Sequence, residues 1–364
     1  LRLTETRLPP RRRRISADVL ALAETVLVTA PGQTLLKSAP REERIARLSA
    51  SDVQFEPDSW QTGVIDVDHS HDGPRGDSMA NETNSIHRPF DPRSTWATLS
   101  PAERSAAYDN NGAVKNSAAL IAERNEASGR MRATLKSHLD LAYGERANNK
   151  IDLYPAAKPD APCLVFVHGG YWQRNSRELF AMLVEGVAAH GWSVAIPGYS
   201  LAPEVSLTDI VAEMPRALDW LAAHGASYGV AGPIILSGWS AGAHLVAMAL
   251  DHPRVHAGLA LSGVYDLAPI RDTGLNNVLK LTDEEIAGLS PLRLPVTQKR
   301  LDIAYGSNEL PALICDSIAL HDKRAAANAP GKLIPVASAD HFTILEALRR
   351  PDGILVDAVR QLLD

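Results

Sequence analysis

A chain of 364 residues, 45% of them hydrophobic, is long enough to bury a large core. Its formal net charge of -6 gives no basic surface of the kind nucleic acid requires. Two cysteines, Cys163 and Cys315, are too few for a disulfide framework, so a reducing, cytoplasmic setting is expected. No run of 18 apolar residues is present, so no membrane span is expected.

Residues 1–85 are rich in Arg, Asp, Ser, Pro and Gly and lack sustained periodicity. They are read as a disordered or non-native N-terminal extension. Arg11 to Arg14 precede a moderately apolar stretch, the outline of a targeting segment, but Asp18 and Glu24 interrupt it. The first methionine is Met79, which fits an over-extended reading frame. Asp66, Asp68, His69, His71 and Asp72 could ligate a metal, yet a polar tail offers no scaffold to fix them. The expectation is therefore no metal and no cofactor. Residues 86–364 are read as the folded domain.

Ser100-Pro101-Ala102-Glu103 is a helix start, with a serine N-cap, proline next and glutamate three residues on. A helical segment should run towards Met131, broken near Asn110-Asn111-Gly112. Two short strands follow, at 141–144 and 151–155. The chain then alternates. Strands are expected at 163–168, 192–196, 233–237, 255–262, 301–305 and 332–336. Helices are expected at 178–190, 207–224, 241–250 and 315–326. In the second of these, Leu207, Ile210, Val211, Met214, Leu218 and Leu221 share one face. Such alternation implies an α/β fold with a mostly parallel, doubly wound sheet flanked by helices. Ligands then bind beyond the carboxyl ends of the strands.

The candidate chemistry falls at those ends. Gly238-Trp239-Ser240-Ala241-Gly242 follows an apolar strand and precedes a helix of small residues. This is the context of a nucleophile elbow in the α/β-hydrolase fold, and it marks Ser240 as a nucleophile for acyl transfer. A tight turn with an exposed serine is the bland alternative. The loop His168-Gly169-Gly170-Tyr171-Trp172 should supply an oxyanion hole through Gly169, Gly170 or Tyr171, together with the N–H of Ala241. The base should be a late histidine. His341, in a loop after the last strand, fits better than His321, which sits in a helix. The acid should follow the strand at 301–305, and Glu309 is the carboxylate of that loop. Asp302, Asp266 and Asp340 are the reserves. His244, one turn after Ser240, reads as a packed helix residue. Trp172, Trp239 and Tyr171 flank the reactive groups, as an aromatic wall for substrate or as plain packing, and Trp172 and Trp239 are candidate substrate-binding residues.

From about Trp96 onward the chain resembles the α/β-hydrolase type of kynurenine formamidase (arylformamidase), a relative of the hormone-sensitive-lipase-like esterases. The likeness rests on His168-Gly169-Gly170-Tyr171-Trp172, Tyr199-Ser200-Leu201-Ala202-Pro203, Gly238 to Leu245 and Ser262-Gly263-Val264-Tyr265-Asp266-Leu267. Tyrosine in place of a third glycine in the oxyanion loop is the most discriminating feature. The resemblance implies hydrolysis of an aryl formamide, N-formylkynurenine giving kynurenine and formate in tryptophan catabolism, with Ser240, His341 and the acid of the Glu309 loop as triad. The chain departs from that pattern at Trp239, where histidine is usual, at Tyr265, which joins Trp172 and Trp239 as a candidate substrate-binding residue, and across 310–316. A carboxylesterase or related amide or carbamate hydrolase is the alternative, and a non-catalytic binding protein is a further one. The expected partner is a small-molecule substrate, with no nucleic acid, no membrane, and a homodimer left open.

Overall fold

The computed structural model describes residues 89–364. The N-terminal extension, the arginine run, Met79 and the cluster from Asp66 to Asp72 all lie outside the described residues.

Eight strands form one sheet: β1 (His138–Ala142), β2 (Lys150–Tyr154), β3 (Cys163–Val167), β4 (Ser193–Pro197), β5 (Ile234–Trp239), β6 (Val255–Leu261), β7 (Leu301–Gly306) and β8 (Leu333–Val336). Their order is β1-β2-β4-β3-β5-β6-β7-β8. β2 is antiparallel to β1 and β4, and every other pair is parallel. This is the α/β-hydrolase fold expected from the sequence. β3, β4 and β5 are buried along their whole length, as strands covered on both faces must be. Alternate side chains enter opposite layers. Val165 and Leu236 join one apolar cluster, and Leu164, Phe166 and Ile235 join the other.

The register sets the site. Val167 pairs with Gly238, and Trp239 pairs with Leu261, so the residues leaving β3, β5 and β6 emerge along one edge. The helix Leu207–His224 buries Leu207, Ile210, Met214, Leu218 and Leu221 as its periodicity predicts. Its buried Glu213 accepts from the amide of Ser200 at 2.7 Å.

Three elements differ from expectation. The first strand lies earlier, at His138–Ala142, because Gly144 belongs to the turn: a Cβ there would meet Asn149 Oδ1 at 2.7 Å. The expected helix at 178–190 is a 3-10 stretch, Arg177–Leu183, followed by a short α-helix, Val184–Ala188. Here the buried Ser128 hydroxyl takes the amide of Met182 at 3.2 Å. The N-terminal helical segment has the predicted capping box at Ser100 and Glu103 but splits twice, into Pro101–Ala106, Asn110–Ala113 and Ser117–Thr134.

The antiparallel end is fastened by charge. Asp152 on β2 is fully buried, pairs with Arg132 and with Arg177 (Nε at 3.1 Å), and accepts the amide of Asp140 at 2.8 Å. Removing one partner of a buried ion pair leaves the other charge uncompensated. Asp152→Ala should therefore cost about 3 kcal/mol of stability, read as a shift in the urea midpoint. A change under about 1 kcal/mol would show that the pair is not structural.

Candidate active site

Ser240 stands between β5 and the helix Ala241–Ala249 with φ 58° and ψ −121°, a conformation that non-glycine residues adopt only when their surroundings enforce it. The enforcement is visible on both sides. A Cβ on Gly238 would lie 2.6 Å from the Gly242 carbonyl oxygen, and one on Gly242 would lie 2.1 Å from that of Val167. The Ser240 amide donates to Leu261 O at 2.8 Å. Ala241 opens the helix, where first-turn amides have no intrahelical acceptor.

The loop after β3 lies against this turn. A Cβ on Gly169 would come within 2.9 Å of Ser240 Cβ and 2.6 Å of Trp239 O. Gly170, Tyr171 and Trp172 all have positive φ, at 127°, 52° and 56°. Two L-residues in succession with positive φ need anchoring. The Tyr171 hydroxyl donates to Tyr108 O at 2.7 Å and accepts from Asn110 Nδ2 at 3.0 Å. Asn175 Nδ2 donates to Gly169 O at 3.0 Å. His168 is stacked between Tyr199 and Phe180, with ring centroids 4.2 and 5.8 Å away. Burial pushes its imidazole down to about 4, so the neutral ring donates Nδ1–H to the same Gly169 carbonyl at 2.9 Å.

Glu309 follows β7 and His341 follows β8. Their side chains meet, His341 Nδ1 lying 3.1 Å from Glu309 Oε2. The other carboxylate oxygen accepts from the Gly306 amide at 2.7 Å and from the Ser262 hydroxyl. Trp239 Nε1 donates to His341 O at 2.8 Å, and the two rings lie 4.8 Å apart. Ser240, His341, Trp239, Gly170 and Tyr171 line one cavity of about 140 Å³. A serine, an imidazole held by a carboxylate, and a glycine loop around one small cavity can carry out acyl transfer.

The remaining candidates lie elsewhere. Asp302 is buried in β7, where Arg300 and the Lys332 amide satisfy it. Asp266 pairs with Arg293. Asp340 accepts the amides of Phe342 and Thr343 and shapes the His341 loop. His321 is half-buried on the helix Pro311–Ala326. His244 is fully buried and bonded to Leu289 O at 2.7 Å, a packed residue as expected. Trp172 and Tyr265 are fully buried and do not line the cavity; Trp172 packs edge-on against His244 at 5.0 Å. Among the described residues, no group of three or more His, Cys, Asp or Glu is placed to hold a metal. Nor is any described helix long and apolar enough to cross a membrane.

Sequence reasoning missed part of the cavity wall: Asn110, Asn111, Ile121, Arg124, Arg174, Asn175 and Phe342. It also missed Ser262 as a partner of Glu309. Ser262 had a usable signal, its place at the carboxyl end of β6. The wall residues of 110–124 had none, because only tertiary packing brings that segment to the site.

Residues 151–255 match the BD-FAE family model. The kynurenine formamidase of Danio rerio is 30% identical over 64% of this chain and 84% of its own length. That of Salmo salar is 29% identical over 73% and 94%. A solved structure from Silicibacter sp. TM1040, described as a "putative thioesterase", superposes with a TM-score of 0.63 at 30% identity, covering 71% of this chain and 99% of its own. With this fold, this cavity and these relatives, the chain is a hydrolase of small substrates and belongs to the kynurenine formamidase family.

Proposed function

We propose that residues 86–364 form a serine hydrolase that cleaves aryl formamides through a formyl-enzyme on Ser240, with N-formylkynurenine giving kynurenine and formate. The observation that carries this reading is the shared cavity of Ser240 and His341, with His341 Nδ1 held by Glu309 at 3.1 Å. Since Nδ1 carries the proton donated to the carboxylate, Nε2 is the basic nitrogen left for the serine.

Ser240 Oγ bonds to the formyl carbon while its proton passes to His341 Nε2. Negative charge gathers on the formyl oxygen, where the backbone N–H groups of Ala241 and of the Gly169, Gly170 and Tyr171 loop receive it. The C–N bond then breaks and His341 returns the proton to the departing aryl amine. Water, deprotonated by His341, attacks the formyl ester; the C–O bond breaks, His341 returns the proton to Ser240 Oγ, and the formic acid released loses its own proton to solvent as formate. Glu309 stays ionised and stabilises the imidazolium formed in each half-reaction. An aryl amine is a better leaving group than an alkyl amine, so esterase-type machinery suffices. The small cavity, about 140 Å³, suits a one-carbon acyl group. Hydrolysis of small esters or thioesters is the second reading, favoured by the description of the 30%-identical solved relative.

On this reading Ser240→Ala abolishes turnover of every substrate. Wild-type kcat/KM on N-formylkynurenine should exceed that on p-nitrophenyl acetate by about a hundredfold or more, a margin of several kcal/mol in transition-state binding. Turnover of the ester alone would replace the formamidase reading with the esterase one. Equal turnover by Ser240→Ala would remove the nucleophile. Glu309→Gln keeps the shape of the acid but can donate to His341 and favour the wrong tautomer. It should lower kcat by about 10⁴, with a thermal midpoint near that of wild type. A loss under tenfold would take Glu309 out of the mechanism.

A further inference from the structure

Arg124 projects from the helix Ser117–Thr134 into the wall of the cavity that holds Ser240 and His341. It is 7% exposed. Its hydrogen bonds all go to neutral groups: Nε and Nη2 to Asn125 Oδ1 at 3.2 and 3.0 Å, and Nη2 to Asn175 Oδ1 at 3.5 Å. Its plane lies over Phe180, with Cζ 4.5 Å from the ring centroid. Among the described residues Nη1 donates to no protein group. Burial pulls the guanidinium down to about 10, a shift to which no carboxylate contributes, so it is a cation at neutral pH without an anionic partner. This differs from the other buried arginine of the region. Arg177 pairs with Asp140, Asp152 and Glu178.

A structural account explains the aromatic face and the amide anchor, which orient the fork. It leaves the charge unbalanced. Burying an arginine without a counter-charge is costly, and a carboxylate is the planar, bidentate partner that its fork fits. The rest of the cavity has the same bias. Arg174 is exposed on its rim, the other polar walls are the amides of Asn110, Asn111 and Asn175, and no aspartate or glutamate lines it. Asn175 touches both sides of the matter, accepting from Arg124 and donating to the Gly169 carbonyl of the loop beside Ser240.

We propose that Arg124 is the specificity-determining residue of this cavity, its guanidinium binding the carboxylate carried on the leaving-group side of the substrate, with Arg174 supporting it at the rim. The proposal rests on Ser240 as the reacting serine and deepens that reading by naming the residue that holds the substrate's carboxylate. Simple neutral esters fit the chemistry but leave Arg124 unpaired, so they are the poorer substrates.

The test uses matched pairs differing only in that charge: N-formylkynurenine and its methyl ester, and 3-carboxyphenyl acetate and its methyl ester. Wild type, Arg124→Gln, Arg124→Lys and Ser240→Ala are compared by kcat/KM. Wild type should prefer the free acid by at least about tenfold in whichever pair it turns over, mainly through KM. In Arg124→Gln that ratio should fall towards one. In Arg124→Lys, which keeps the charge but loses the planar fork, it should be intermediate. A wild-type ratio of one or less in both pairs overturns the proposal, as does an undiminished ratio in Arg124→Gln. Should Arg124→Gln fail to fold, Arg124→Lys decides: a ratio below about a third of the wild-type value supports the carboxylate fork, and an unchanged ratio overturns it. Failure of the formamidase reading leaves the ester pair to report the preference, and failure of the serine reading shows separately as activity in Ser240→Ala.

Discussion

The backbone of Ser240 is the constraint on which the rest of the site depends. A serine at φ 58° and ψ −121° has no local reason to stay there. It is held because the helix behind it comes so close to the sheet that only hydrogen fits at Gly238 and Gly242, and because Leu261 O fixes its amide. The same closeness governs the facing loop, where Gly169 abuts Ser240 and Trp239 with no room for a Cβ. Three glycines, one on β5, one in the helix after it and one in the loop after β3, thus keep the serine and that loop at one separation. The parallel register of β3 with β5 makes their approach a property of the sheet rather than of the loops.

His341 is positioned by a second set of contacts that meets the first at Trp239. Glu309 has one oxygen engaged by Gly306 and Ser262, which leaves the other aimed at His341. The carbonyl of His341 is held by the indole of Trp239, the residue immediately before Ser240. One side chain therefore ties the turn after β5 to the loop after β8. This gives a physical reason for tryptophan at a position where the resembling family usually has histidine. The indole supplies a donor, and its broad face also packs on His341 and Phe342.

Much of this was legible in the sequence because it is local. The elbow glycines, the apolar runs of β3 to β7 and the spacing of the helix Leu207–His224 each carry their own signature, and the fold follows from their alternation. The places of Glu309 and His341 at strand ends were legible too. The distances between them were not. Where side chains compete with the backbone, local reading failed. Ser128 takes the Met182 amide and leaves a 3-10 stretch in place of a regular helix, a competition visible only once the two segments are packed. Trp172 is the same lesson in reverse. Tyr171 before it lines the cavity, but the Trp172 ring packs into the core against His244.

The least legible part is the wall contributed by residues 108–124, and it decides what the chemistry is used on. The serine, the histidine and the glycine loop are common to any acyl transfer and say little about the substrate. Tyr108 and Asn110 reach the oxyanion loop through the Tyr171 hydroxyl. Arg124 reaches it through Asn175. The segment that shapes the pocket thus also steadies the loop that would receive the developing charge. Tyrosine in place of a third glycine is what makes that coupling available, because a glycine would have no hydroxyl to bind.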